Sequence, residues 1–91
     1  MALGFYFSPE SFSKDQYDTC IKRLDDAGQG APAGRLYHVA FAAGDGLHVF
    51  DVWDSREAFE AFGKTLLPIM AELGASPGAP QVSEIHNVIP G

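Results

Sequence analysis

Cysteine and positive charge are scarce in this 91-residue chain. The one cysteine, Cys20, cannot close an internal disulfide, and no CxxC or Cys/His spacing suits structural zinc, so a reducing, cytoplasmic setting is expected. Six Lys and Arg stand against twelve Asp and Glu, a net charge of −6, and no basic cluster exceeds the pair Lys22 and Arg23. Without a footprint for phosphate backbones, nucleic acid is not an expected partner. Long apolar runs are missing too. Ala2 to Phe7 is far shorter than the ~20 residues that span a bilayer, and no basic residue precedes it, so neither a membrane segment nor a secretory signal is expected. No phosphate-cradling glycine loop, nucleophile elbow or flavin motif occurs, and no cofactor or metal is expected.

What is present suits one folded domain over residues 1–91: 46% hydrophobic and 12% aromatic residues with 20% charged. A chain this short has room for one modest core, and association often supplements it.

Residues 2–7 are apolar and end at Ser8 and Pro9, as a buried strand would. Ser13 and Gln16 form an S-x-x-Q capping box that opens a helix. Tyr17, Cys20, Ile21, Leu24 and Ala27 then fall on one helical face, and Gly28 supplies a stop. Asp25 and Asp26 near that end oppose the helix dipole. After a Gly/Pro-rich loop (28–34), Arg35 to Ala43 has the Tyr, Val and Phe content of a second strand. Asp45 and Gly46 signal a two-residue hairpin, so 47–53 should return antiparallel. Asp54 and Glu57 suit a second capping box, and the helix they open carries apolar residues at Ala58, Phe59, Phe62, Leu66, Ile69, Met70 and Leu73 before Gly74. Pro68 should kink or break it between Gly63 and Pro68. A last strand is expected from Val82 to Ile89.

The order βαββαβ is the ferredoxin-like α+β arrangement: a four-stranded antiparallel sheet with both helices on one face. With Asp45 and Gly46 as the turn, His38 would lie opposite Trp53 and Ala40 opposite Asp51. One sheet face then carries Tyr37, Val39, Phe41, Phe50 and Val52, with His48 near the turn. The other carries Leu36, His38, Ala40, Leu47, Val49, Asp51 and Trp53. The first face is too apolar to be left in water, and a second copy of the chain is its expected cover. The second, beneath the helices, gathers a histidine, an acid and an indole into a candidate pocket.

At this point the chain resembles the dimeric α/β-barrel superfamily, in element order over nearly its whole length. Locally the segment "VFDVWDSREAFEAF" (49–62) is similar to the strand-to-helix segment of antibiotic biosynthesis monooxygenase-like domains. The resemblance implies two ferredoxin-like subunits packed sheet to sheet, each with a cavity between sheet and helices. Haem-degrading members carry a third-strand tryptophan, which Trp53 could match, but also a first-strand asparagine and a second-helix histidine. Neither is present here, which disfavours haem degradation.

A mid-strand carboxylate under helices must pair, hydrogen bond or take up a proton, so Asp51 is either a pocket acid or base or a local structural ion pair. His38, placed diagonally from it, is either an oriented general base or a packing histidine. Trp53 either fills core volume or walls the pocket with Tyr17, Phe59 and Phe62. His38, His48 and His86 are not expected to share a metal, because the second and fourth strands lie about 14 Å apart at three strand spacings. Cys20 is expected to be inert packing.

Two functions follow. One is a cofactor-independent monooxygenase or isomerase acting on a small apolar or aromatic molecule, with His38 and Asp51 as catalytic groups and Trp53, Tyr17, Phe59 and Phe62 binding substrate. The other is a non-catalytic dimer that binds a ligand or stabilises a partner. Its sign would be a filled cavity, or one whose polar pair is not in contact.

Overall fold

The computed structural model describes residues 2–44 and 46–89. The elements are β1 (Leu3–Phe7), α1 (Lys14–Asp26), β2 (Arg35–Ala43), β3 (Gly46–Trp53), α2 (Arg56–Glu72) and β4 (Gln81–Glu84). They form the ferredoxin-like α+β fold: a four-stranded sheet in the order β2-β3-β1-β4, with every neighbouring pair antiparallel. Cys20 and Leu24 of α1, Phe62 and Met70 of α2, and Phe5, Phe7, Leu47 and Trp53 of the sheet join in one core, so both helices cover the same face. Phe5 and Trp53, at 0% exposure, are its centre.

Local chemistry sets the helix ends. The capping box of α1 is complete: Gln16 N–H donates to Ser13 Oγ (3.1 Å) and Ser13 N–H to Gln16 Oε1 (2.9 Å). Gln16 Nε2 also donates to the Leu73 carbonyl (3.1 Å), tying the start of α1 to the end of α2. Both helices close in the same way. Gly28 (φ +79°) and Gly74 (φ +72°) take the left-handed conformation just past the cap, and the residues after them, Gln29 and Ala75, donate back to Leu24 and Met70.

The structure corrects several details. Ser55, not Asp54, caps α2, accepting from Ala58 N–H at 3.1 Å. Asp54 directly follows the strand end, its N–H donating to the Gly34 carbonyl at 2.8 Å. The helix runs unbroken through Pro68, because its apolar face continues across that residue: Leu66 and Ile69 pack on the core and Met70 is buried. That burial outweighs one lost backbone bond. The last strand stops at Glu84 rather than Ile89; Ile85 N–H then bonds to the Ala2 carbonyl (3.0 Å), and no pairing extends beyond it among the described residues.

The hairpin register also differs. His38 faces Asp51, Val39 faces Phe50 and Ala43 faces Gly46, so the turn falls one residue earlier than expected and each partner slips by two. Asp45, half of the expected turn pair, lies outside the described residues. Gly46 belongs to the strand, where its missing side chain lets the Phe12 carbonyl approach to 3.0 Å of where a Cβ would stand and accept from Leu47 N–H. A slip of two keeps every side chain on its face. One residue breaks that parity. Between Arg35, opposite Trp53, and Tyr37, opposite Val52, Leu36 is an extra residue and stands 57% exposed instead of facing the helices.

Candidate functional site

Between the sheet and the two helices lies a cavity of about 60 Å³. At ~10–15 Å³ per water this is space for about four to six waters, or roughly one small ring. Its wall is mostly apolar, with Phe59, Phe62, Leu66 and Met70 from α2 and Ile21 and Leu24 from α1. Five lining residues bring polar atoms: Tyr17, Cys20, Arg35, His38 and Asp51.

Three of these form a chain. Asp51, only 5% exposed, points from β3 toward the helices with Phe5 on one side of it in the sheet and His38 on the other. Its Oδ1 lies 2.5 Å from His38 Nδ1. On the far side of the imidazole, Nε2 lies 2.7 Å from Tyr17 Oη, and the two rings are parallel within 3° at 5.9 Å. The second oxygen of Asp51 accepts from Trp53 Nε1–H at 3.4 Å, a long bond. With a carboxylate accepting at Nδ1, the imidazole carries its proton there and offers Nε2 as an acceptor to the Tyr17 hydroxyl. Burial pushes the Tyr17 phenol above its ordinary value of 10.0; the Arg35 charge opposes this and Asp51 adds to it. Tyr17 is therefore a protonated donor at neutral pH. Such a chain can take a proton at Tyr17 Oη as the phenol's own proton passes to His38 Nε2, with Asp51 holding the imidazolium.

His38, Asp51, Tyr17, Phe59 and Phe62 thus line one cavity. Trp53 does not. It is fully buried behind the cavity wall, its ring 5.2 Å from Phe62 and 5.8 Å from Phe59, and its contribution is the hydrogen bond to Asp51. Tyr17 was expected only as an aromatic wall; its hydroxyl is the end of the polar chain, and no sequence signal beyond its place on the helix face marks it. Arg35 is a cavity residue that strand alternation puts on the wrong face. Cys20 is 3% exposed, and burial raises its thiol above 9.0 against the opposing charge of Arg23. It is not a poised nucleophile.

His48 lies on the opposite sheet face, its Nδ1 sharing a 2.6 Å hydrogen bond with Tyr6 Oη. Among the described residues no group of three His, Cys, Asp or Glu side chains comes together to hold a metal ion, and no helix is long and apolar enough to cross a membrane.

No protein-family model matches the sequence, and no curated protein matches it. Solved structures do. The chain aligns over 98% of its length, and 95% of the other's, with a structure described as an antibiotic biosynthesis monooxygenase from Chloroflexus aurantiacus J-10-fl, at 18% identity and a TM-score of 0.61. It aligns equally well with SnoaB, a cofactor-independent oxygenase from Streptomyces nogalater: 17% identity, 99% and 96% coverage, TM-score 0.61. A third match is NE2512, a protein of unknown function from Nitrosomonas europaea, at 17% identity, 99% and 93% coverage and a TM-score of 0.52. The chain shares the fold of antibiotic biosynthesis monooxygenase-like proteins from end to end.

Proposed function

We propose that this protein is a cofactor-independent oxygenase that starts its reaction by removing a proton from a small aromatic or otherwise apolar molecule. The carrying observation is the unbroken hydrogen-bonded chain from buried Asp51 through His38 to Tyr17 at the wall of an apolar cavity. A non-catalytic dimer would leave the cavity filled or its polar pair apart; here the pair is in contact at 2.5 Å. The fold shared with a cofactor-independent oxygenase adds support.

In this reading Tyr17 Oη takes a proton from an activated C–H or a phenol O–H and passes its own to His38 Nε2, leaving an enolate or phenolate. Dioxygen, the co-substrate, adds to the electron-rich carbon of that anion. A CH₂ group becomes a carbonyl, with one oxygen atom entering the product and the other leaving as water. Isomerisation shares the first step and differs only in returning the proton to another carbon. The protein acts in the cytoplasm, as a homodimer closed over the apolar sheet face.

The experiment is to incubate the protein with a panel of single-ring and fused-ring phenols and activated methylene compounds in D₂O. Hydrogen–deuterium exchange is followed by NMR, and oxygen uptake with an electrode. Exchange above the buffer blank that disappears in Tyr17→Phe and His38→Gln supports the reading. Wild-type protein that accelerates exchange of none of them overturns it.

A further inference from the structure

Strand alternation would send Arg35 outward with Tyr37 and Val39, away from the helices. The extra residue at Leu36 reverses this. Arg35 pairs with Trp53, whose side chain faces the helices, while Leu36 is displaced into solvent at 57% exposure. Bulges re-aim single side chains in this way and are common beside active sites. Arg35, as a result, lines the cavity, its Cζ 5.8 Å from the ring centre of Phe62, with Nη2 donating to the Gly30 carbonyl at 3.2 Å at the solvent-exposed rim. Among the described residues no carboxylate forms an ion pair with it. A charge held against an apolar wall with one carbonyl as partner keeps most of its donors for something else. Among the described residues Arg35 is also the only Lys or Arg lining a cavity whose other charged group, Asp51, is committed to His38.

We propose that Arg35 is the oxyanion-binding residue of this cavity: its guanidinium holds the phenolate or enolate oxygen of the deprotonated substrate. The proposal rests on the proton-removal reading above and names its substrate class, a weak oxygen or carbon acid whose conjugate base carries its charge on an oxygen. The cavity has room for about one ring, so a molecule within it reaches both the Tyr17 and the Arg35 sides of the wall. Arg35's field already acts on the Tyr17 oxygen, where it works against the effect of burial. A cation held at the mouth of a mostly apolar cavity favours the anion more than the neutral acid, and that difference lowers the barrier to proton removal.

The test uses 4-nitrophenol, a single-ring acid whose phenolate absorbs visibly, titrated with and without protein. Its ether 4-nitroanisole, which cannot ionise, serves as the neutral control. Bound to the wild type, 4-nitrophenol should favour the phenolate by about tenfold or more, the effect of one opposite charge nearby. Arg35→Met should lose that preference while binding 4-nitroanisole as before. Arg35→Gln, which keeps a polar group for the Gly30 carbonyl region, provides the same comparison if the Met variant does not fold. No phenolate preference in the wild type, including failure of 4-nitrophenol to bind, overturns the proposal, as does a preference that both folded variants retain. The two ideas fail separately. Deuterium exchange lost in His38→Gln without any phenolate preference in the wild type removes Arg35 and leaves the proton chain standing. A phenolate preference with no exchange on any substrate does the reverse.

Discussion

His38 and Asp51 sit directly opposite each other on adjacent antiparallel strands, and their side chains meet at 2.5 Å on the helix-covered side of the sheet. Directly opposed positions hold side chains about 4.5–5.5 Å apart at Cβ, so the contact follows from backbone pairing and needs no loop to arrange it. The prediction separates charge from shape. Asp51→Asn keeps one acceptor oxygen for His38 and turns an NH₂ only toward the long Trp53 bond, so the fold should survive while proton removal drops on the order of 10²–10⁴-fold. Asp51→Ala strands two donors at about 1–3 kcal/mol each, the lower end applying to the long Trp53 bond. Denaturant melts of both variants, beside the exchange assay, check this. Equal melts would remove Asp51 from the hydrogen-bonded core.

Alkaline stability should carry the signature of two buried acids. Burial raises Tyr17 above 10.0, opposed by Arg35, and raises Cys20 above 9.0, opposed by Arg23. Below those ordinary values both groups are protonated in the folded and the unfolded chain and add no pH dependence. Above them the unfolded chain loses its protons first, so stability falls as pH rises until the folded groups titrate as well. Tyr17→Phe should flatten the decline above about pH 10, and Cys20→Ala the part that begins near pH 9. Urea midpoints measured from about pH 8 to 11 test this. A decline of wild-type slope in both variants would assign it to other groups.

Much of this arrangement is legible in the residues, and what is not has a physical cause. The capping box at Ser13 and the apolar spacing of Tyr17, Cys20 and Leu24 fix the first helix and its buried side. His38 and Asp51 are readable as members of one face because a hairpin that slips by two preserves parity, even though their pairing changes from diagonal to direct. The bulge at Leu36 is not readable, since its sequence neighbours Arg35 and Tyr37 suit a regular strand equally well. That one residue decides which side of the sheet Arg35 occupies. The cap of α2 falls on Ser55, whose hydroxyl accepts from Ala58 N–H, while Asp54 pairs through its N–H with the Gly34 carbonyl, a contact from a loop 20 residues away in sequence. Pro68 is tolerated because the core contacts on either side of it are tertiary.

Gly34 should be intolerant of a side chain. Its φ is +91°, and a Cβ there would lie 2.6 Å from Ala58 Cβ and 2.7 Å from Asp54 Oδ1. The left-handed backbone costs about 1–2 kcal/mol for any other residue, and the overlap with a helix adds about 1–3. Gly34→Ala should therefore lower stability by roughly 2–5 kcal/mol. Because Gly34 immediately precedes the bulge that aims Arg35, the folded fraction of this variant should also lose phenolate preference for 4-nitrophenol. A denaturant melt like that of the wild type would show that the loop can shift away from α2 at little cost.

The uncovered sheet face supplies the last prediction. Tyr37 and Phe41 are 50% and 40% exposed, and Phe41 stacks parallel to Tyr6 at 6.3 Å and edge-on to His48 at 5.9 Å. An aromatic surface of this kind, continuous with Val39 and Phe50 on the same face, is expected to be covered by a second copy across a two-fold axis, removing roughly 800 Å² per partner from water. Val52 belongs to that face by strand alternation yet is only 3% exposed within the single chain. A charge there is buried whether or not a partner is bound. Val52→Glu should unfold the protein, whereas Phe41→Glu should leave a folded monomer with a hydrated charge in place of an exposed ring. Light scattering at micromolar concentration, read with thermal melts, distinguishes the two. A wild-type chain that remains monomeric removes the dimer, and a Phe41→Glu variant that still dimerises places the interface elsewhere.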